Sequence, residues 1–170
     1  MKKLILAAAL ALGLAAPAWA DTPEIDMVRQ VYEDFASSSS DQWINYLGSQ
    51  ELKQNLIQRD NYEYWFNNNY QGEMSECAES IHIAYPGNDD SFLNEINYYQ
   101  DDDWVVAEII PQDPGFEVDE PMYVGFSLIN ENGKIVIDDV GPLYDDGDGT
   151  VFHSFKEQVS EMCDIDNPAL

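Results

Sequence analysis

Apolar residues recur at two different periods along this chain, and the change of period divides it into a helical half and a stranded half. Ile25, Val28, Tyr32 and Phe35 are spaced three, four and three apart, which puts one apolar stripe on a helix starting after Pro23. The serine run Ser37–Ser40 ends it. Trp43, Tyr46 and Leu47 open a second apolar face, interrupted at Gly48 and Ser49. Ser49 is placed to cap a further helix whose Leu52 and Leu56 lie four apart. Asp60 or Asn61 then opens an aromatic cluster, Tyr62, Tyr64, Trp65 and Phe66, expected as a short helix or turn of its own. Asn67–Asn69 and Gly72 predict a loop.

From Glu79 the period is two. Ile81, Ile83 and Tyr85 alternate with Ser80, His82 and Ala84, predicting a half-buried strand that stops at Pro86-Gly87. A second strand is expected over Leu93–Tyr99, with a turn at Asp101–Asp103. Trp104–Ile110 (WVVAEII) is almost wholly apolar, as a central strand requires. The prolines and acids of Pro111–Pro121 predict a loop. Met122, Val124, Phe126 and Leu128 alternate with Tyr123, Gly125, Ser127 and Ile129, and Asn132-Gly133 is a strong hairpin signal leading into a partner strand over Lys134–Val140. An acidic, glycine-rich turn, Asp145–Gly149, precedes a C-terminal helix with Phe152, Phe155, Val159 and Met162 on one stripe. Helices followed by an antiparallel meander make an α+β fold.

Residues 1–20 read as an address rather than as part of that fold. Lys2 and Lys3 form a positive leader, Leu4–Ala16 is an apolar run, and Ala18 and Ala20 are the small residues of a signal-peptidase site. The run is too short to span a bilayer. Cleavage after Ala20 leaves a single domain over 21–170, soluble and outside the cytoplasm, in the periplasm or beyond the cell. Lys2 and Lys3 leave with the leader, so 33 acidic residues face only Arg29, Lys53, Arg59, Lys134 and Lys156, a formal charge of −28. Such a field repels nucleic acid and anionic lipid, and excludes both as partners. It favours encounter with a basic protein, a cationic ligand or divalent ions. The competing reading is a surface made acidic only for solvation.

Cys77 and Cys163 form an isolated pair, which in an oxidising compartment predicts a disulfide. His82 and His153 have no ligand-like spacing with either, so no metal is expected. The turn Asp145–Gly149 fails the calcium-loop pattern, since Gly149 at the sixth position puts Tyr144 at the first and Phe155 at the twelfth. No phosphate loop and no Gly-x-Ser-x-Gly or His-Glu-x-x-His motif occurs, so no cofactor and no common hydrolase chemistry are expected.

Three stretches resemble the nuclear transport factor 2-like superfamily, and within it a group of small secreted bacterial proteins of unknown function. "MVRQVYEDF" is similar to the opening helix, "YLGSQELKQNL" to a Tyr-Leu-Ser-x-x-Leu helix, and "FSLINENGKIVIDDV" to the signature hairpin. Gly48 before Ser49 is a one-residue departure, and Val136 stands where an aromatic is commoner. The resemblance implies a cone of curved antiparallel sheet wrapped around N-terminal helices. It carries fold rather than activity, because this architecture hosts enzymes, binding modules and immunity proteins alike.

Two site readings follow. In the first, the protein is a non-catalytic binding protein, in its sharpest form an immunity protein or inhibitor of a cationic envelope-acting enzyme. Asp101, Asp102 and Asp103 then steer the encounter and Trp104 anchors it. In the second, the cone is a small-ligand carrier or an isomerase or dehydratase using an interior Asp. Asp138 and Asp139 are the candidates; as strand neighbours they are expected to point to opposite faces, one of them inward or, as the plainer expectation, at the solvated rim. Tyr62, Trp65 and Phe66 would then line a pocket, against the plainer expectation that they pack the core.

Overall fold

The computed structural model describes residues 22–38, 41–70, 75, 77, 95–101, 103–110, 121–145 and 150–166. The expected leader, the strand expected at Ile81–Tyr85 with His82, Asp102, and most of the two loops expected at Pro111–Pro121 and Asp145–Gly149 lie outside the described residues.

Helix α1 spans Pro23–Ser38 and carries Glu24 and Asp26 in its first turn, where the helix dipole favours negative charge. It buries Ile25, Val28, Val31 and Tyr32. A single tight turn, Asp41–Trp43, leads into α2, Ile44–Leu47. Only glycine fits at position 48, because a Cβ there would lie 2.6 Å from the Ile44 carbonyl oxygen. That close approach lets the Ser49 amide donate to the Ile137 carbonyl at 2.8 Å, fixing the start of the next helix on a strand edge.

Helix α3 runs unbroken over Gln50–Asn69, with the Ser49 side chain accepting from the Leu52 amide as expected. The separate aromatic helix expected after Asp60 is corrected here. Asp60 and Asn61 interrupt nothing, because no Gly or Pro breaks the hydrogen-bond ladder, and Leu52, Leu56, Tyr62 and Phe66 continue one buried stripe. Arg59 lies on the same side, paired to Asp41 at 2.7 Å and to Asp60 at 2.9 Å. Burial pulls its guanidinium pKa down, but the hydrogen bonds and charge of Asp41 and Asp60 outweigh that and hold it above its ordinary value.

Among the described residues five strands follow: β1 Glu95–Asp101, β2 Trp104–Ile110, β3 Met122–Glu131, β4 Lys134–Asp145 and β5 Thr150–Phe152. They form one open antiparallel sheet in sequence order. Asn132 and Gly133 both adopt positive φ, 55° and 82°, the turn that the Asn-Gly pair predicts between β3 and β4. Helix α4, Phe155–Met162, closes the described chain. Phe152 belongs to β5 rather than to this helix; Ser154 caps α4 by accepting from the Glu157 amide, so the helix cannot begin earlier.

Helices α1, α2 and α3 pack on one sheet face, and α4 joins the same core while its first turn reaches Asp139 on β4. Val105, Ala107, Ile109, Val124, Phe126, Ile137 and Val140 join Ile25, Val28, Trp43, Leu52, Tyr62, Phe66, Phe155 and Val159 in one core. Cys77 and Cys163 are bonded within it, 86 residues apart in sequence.

Two tyrosines give that core a pH signature. Tyr32 and Tyr98 rings sit 5.9 Å apart, with the Arg29 guanidinium 5.5 Å from the Tyr98 ring centre. Burial pushes Tyr98 up to about 12, an effect that Arg29 opposes and Glu33 reinforces. Burial raises Tyr32 as well. Unfolded tyrosine ionises at about pH 10, so above it the unfolded chain loses protons that the native state keeps. Stability should be intact below that value and fall as pH rises from 10.0 to about 12. Melting temperatures across this window test it: Tyr98→Phe should flatten the fall.

Candidate functional site

Hairpin β1–β2 brings the acidic turn to an exposed tip. Asp101 pairs directly with Trp104 across the hairpin, and both Asp101 and Asp103 are exposed. Trp104 is half-buried, its ring centred 4.1 Å from that of Phe152 at 42°. An aromatic so held loses little further side-chain freedom when a partner closes on it.

Register extends this tip across the sheet. Trp104 pairs with Ser127, and Ser127 with Asp139, so Asp101, Trp104, Ser127 and Asp139 form one cross-strand row on one face. The acidic tip and the buried Asp139, far apart in sequence, therefore lie in one cross-strand row. Only β3 separates them.

The expectation that Asp138 and Asp139 point to opposite faces is corrected by a β-bulge. Ser127 pairs with Asp139 and Leu128 with Ile137, leaving Asp138 as the extra residue on β4. Both carboxylates meet the first turn of α4. Asp139 is 8% exposed and accepts from the Ser154 hydroxyl at 2.5 Å, the Val140 amide at 2.9 Å and the Lys156 amide at 3.3 Å. Asp138 pairs through Oδ2 with Lys156 Nζ at 2.7 Å, and Glu51 of α3 reaches the same ammonium at 3.3 Å. Partial burial lowers the Lys156 pKa, but the hydrogen bonds and charges of Asp138 and Glu51 outweigh it and raise it overall.

These contacts specify what the acids can do. Ser154 donates its proton to Asp139 and accepts from the Glu157 amide, so its hydroxyl is engaged on both sides as a helix cap. Both oxygens of Asp139 are taken up by three donors. The set fastens α4 to β4 rather than presenting a base to a ligand. The crossing that seats Ser154 over Asp139 depends on Gly141, where a Cβ would fall 1.8 Å from the His153 carbonyl oxygen.

The aromatic cluster of α3 packs on itself. Tyr62 and Phe66 are 0% and 1% exposed, their rings 6.0 Å apart, and Tyr70 stacks on Phe66 at 5.0 Å. Trp65 is half-buried against Tyr62 and Tyr70, at 5.7 Å from each. A groove of about 440 Å³ lies elsewhere, between α3 and the segment after α4, lined by Gln54, Ile57, Asn61, Asp164 and Ile165 among others.

Two residues of this face are not evident from sequence as site residues. Phe152 stands at helix spacing from Phe155, and that spacing hides its place as the support of Trp104. Glu108 accepts from the Asn97 side chain at 3.1 Å and the Tyr123 hydroxyl at 3.3 Å. It stands on the same face as Trp104, with Val106 between them, and alternation within WVVAEII is the signal that places it there. Burial, then the nearby Glu108 charge, raise the Tyr99 pKa on the neighbouring strand.

Among the described residues, no group of three or more His, Cys, Asp or Glu is placed to hold a metal ion, and no helix is long and apolar enough to cross a membrane. No protein-family model, curated protein or solved structure matches the chain.

Proposed function

We propose that this is a secreted, non-catalytic binding protein that docks on a cationic protein through the row led by Asp101, Asp103 and Trp104. In its sharpest form it is an immunity protein or inhibitor of a basic envelope-acting enzyme. The observation that carries this reading is the half-buried Trp104, its ring tilted against that of Phe152 and flanked by the exposed Asp101 and Asp103 at a hairpin tip. Aromatic anchors held in place and ringed by polar groups are where binding energy concentrates. A charge of −26 over the whole chain supplies long-range attraction for a basic partner.

Export is supported by the leader and by the bonded cysteine pair, since such bonds persist in oxidising compartments. A cone of the nuclear transport factor 2-like kind is supported by the element order, by helices on one sheet face and by the bulge that bends β4. The rival ligand-carrier reading needs Asp138 or Asp139 free for chemistry, and the bonds of Asp139 to Ser154 and α4 weigh against it.

Immobilised protein challenged with periplasmic extract at low salt tests the proposal. A basic enzyme should be retained, lose activity in the complex, and escape when Asp101 and Asp103 are both changed to Asn. Failure to retain any protein, together with a small molecule whose stabilising effect vanishes in Asp139→Asn, would overturn it.

A further inference from the structure

Among the described residues, Glu108 is a carboxylate that meets only neutral groups. It stands on β2, on the face that carries Trp104, with Asn97 directly opposite on β1 and Tyr123 directly opposite on β3. Asn97 donates to its Oε2 at 3.1 Å and the Tyr123 hydroxyl to its Oε1 at 3.3 Å. Glu108, Asn97, Tyr99 and Tyr123 are all half-buried. A carboxylate drawn partly out of water is costly to keep charged unless a cation meets it. The five Lys and Arg residues beyond the expected leader all lie elsewhere. Arg29 is on α1, Lys53 and Arg59 are on α3, Lys156 is on α4, and Lys134 is at the opposite end of β3 from Tyr123.

We propose that Glu108, held by Asn97 and Tyr123 and flanked by Tyr99, seats an arginine side chain of the partner protein. That side chain comes from the docked partner, so the seat rests on the docking reading and adds the contact that selects the partner. Each carboxylate oxygen accepts in two directions, and Asn97 and Tyr123 take one direction on each. One stays open on each oxygen, side by side. A two-pronged guanidinium fills both at once, which a single ammonium does not. The same two bonds hold the carboxylate in place, so little side-chain freedom is lost when the arginine arrives. Tyr99 lies on the same face, opposite Val106. Burial, then the Glu108 charge, raise its pKa, so it remains a neutral ring beside the carboxylate. A guanidinium plane stacks well on such a ring.

Charge complementarity decides the occupant. On β1 and β2 this face holds Glu95, Asp101 and Glu108 and no base. A second copy of the chain would bring acids to acids, and a phosphate or carboxylate ligand would be repelled outright. An arginine of a basic protein gains from the whole field and from the local fork. Four residues along β2 separate Trp104 from Glu108, about 13 Å at the strand rise. The aromatic anchor and the arginine seat are therefore two separated points of one footprint, and two such points fix how the partner is turned on the sheet.

Titration of the protein with acetyl-Gly-Arg-Gly-amide, followed by backbone amide NMR shifts, tests the seat without the partner. Saturable shifts are expected at Tyr99, Glu108 and Tyr123, several-fold weaker with the lysine peptide. Glu108→Gln should weaken arginine binding by at least about tenfold, as loss of a charged hydrogen-bond pair does. Tyr99→Leu keeps the carboxylate and should shrink the preference for arginine over lysine, with melting temperatures measured for both variants. Shifts spread evenly over the acidic surface, or unchanged in folded Glu108→Gln, would overturn the seat. Capture from periplasmic extract separates this from the docking reading. A basic protein retained equally by wild type and Glu108→Gln overturns the seat and leaves docking intact. Saturable arginine binding at Glu108 with no protein retained supports the seat and counts against docking alone.

Discussion

Replacing Asp139 by alanine is expected to cost about 3 kcal/mol and to loosen α4 from the sheet. The carboxylate is 8% exposed and receives the Ser154 hydroxyl and two backbone amides, so its loss strands three donors in a protected place. For a domain of this size the melting temperature should fall by roughly 6–12 °C. Amide exchange should rise along Phe155–Met162 first, because that helix loses its tether. Asp138→Ala should cost far less. Its ion pair with Lys156 is partly exposed, and its other oxygen is buried without a hydrogen-bond partner among the described residues, so removal relieves a desolvation penalty. Urea titration of both variants decides the matter. An Asp139→Ala protein of native stability would mean that the carboxylate is not a fastening.

The second large effect is expected from Cys163→Ser. The bond joins residues 86 apart, and on the chain-entropy account a loop of that length stabilises by about 4–5 kcal/mol. Cys163 also ends α4, and its carbonyl accepts from the Gln58 side chain at 3.2 Å, so the bond holds α4 beside α3 as well as restricting the unfolded chain. The melting temperature should drop by roughly 10–20 °C, with the same drop on reduction of the native protein. Cys77→Ser should match it, because either change opens the same loop. Equal stability of oxidised and reduced protein would contradict this.

Much of the fold is legible in the sequence because its signals are local. The 3.6-residue stripe of α1, the Ser49 cap and the Asn132-Gly133 turn each act within a few residues, and the structure holds all three. What escapes a sequence reading depends on distant chain. The bulge that turns Asp138 and Asp139 to one side arises from pairing between β3 and β4, which alternation along β4 alone cannot reveal. Phe152 sits at helix spacing from Phe155, so periodicity assigns it to α4; only the Ser154 cap and the pairing with Leu143 place it in β5. Asp60 and Asn61 carry the signal of a helix start, yet tertiary burial of Tyr62 and Phe66 takes α3 straight through them. The candidate site is visible in sequence as parts, the acidic tip and Asp139, but not as one row.

Association kinetics test the proposed docking row most directly. With the basic partner in hand, the on-rate should fall as ionic strength rises, because screening shortens the reach of the acidic field. Asp101→Asn with Asp103→Asn should lower the on-rate and flatten that dependence, leaving the off-rate nearly unchanged. Trp104→Ala should raise the off-rate instead, with thermal stability measured alongside because the ring also packs on Phe152. On- and off-rates that ignore salt and all three substitutions, in proteins that remain folded, would contradict the account.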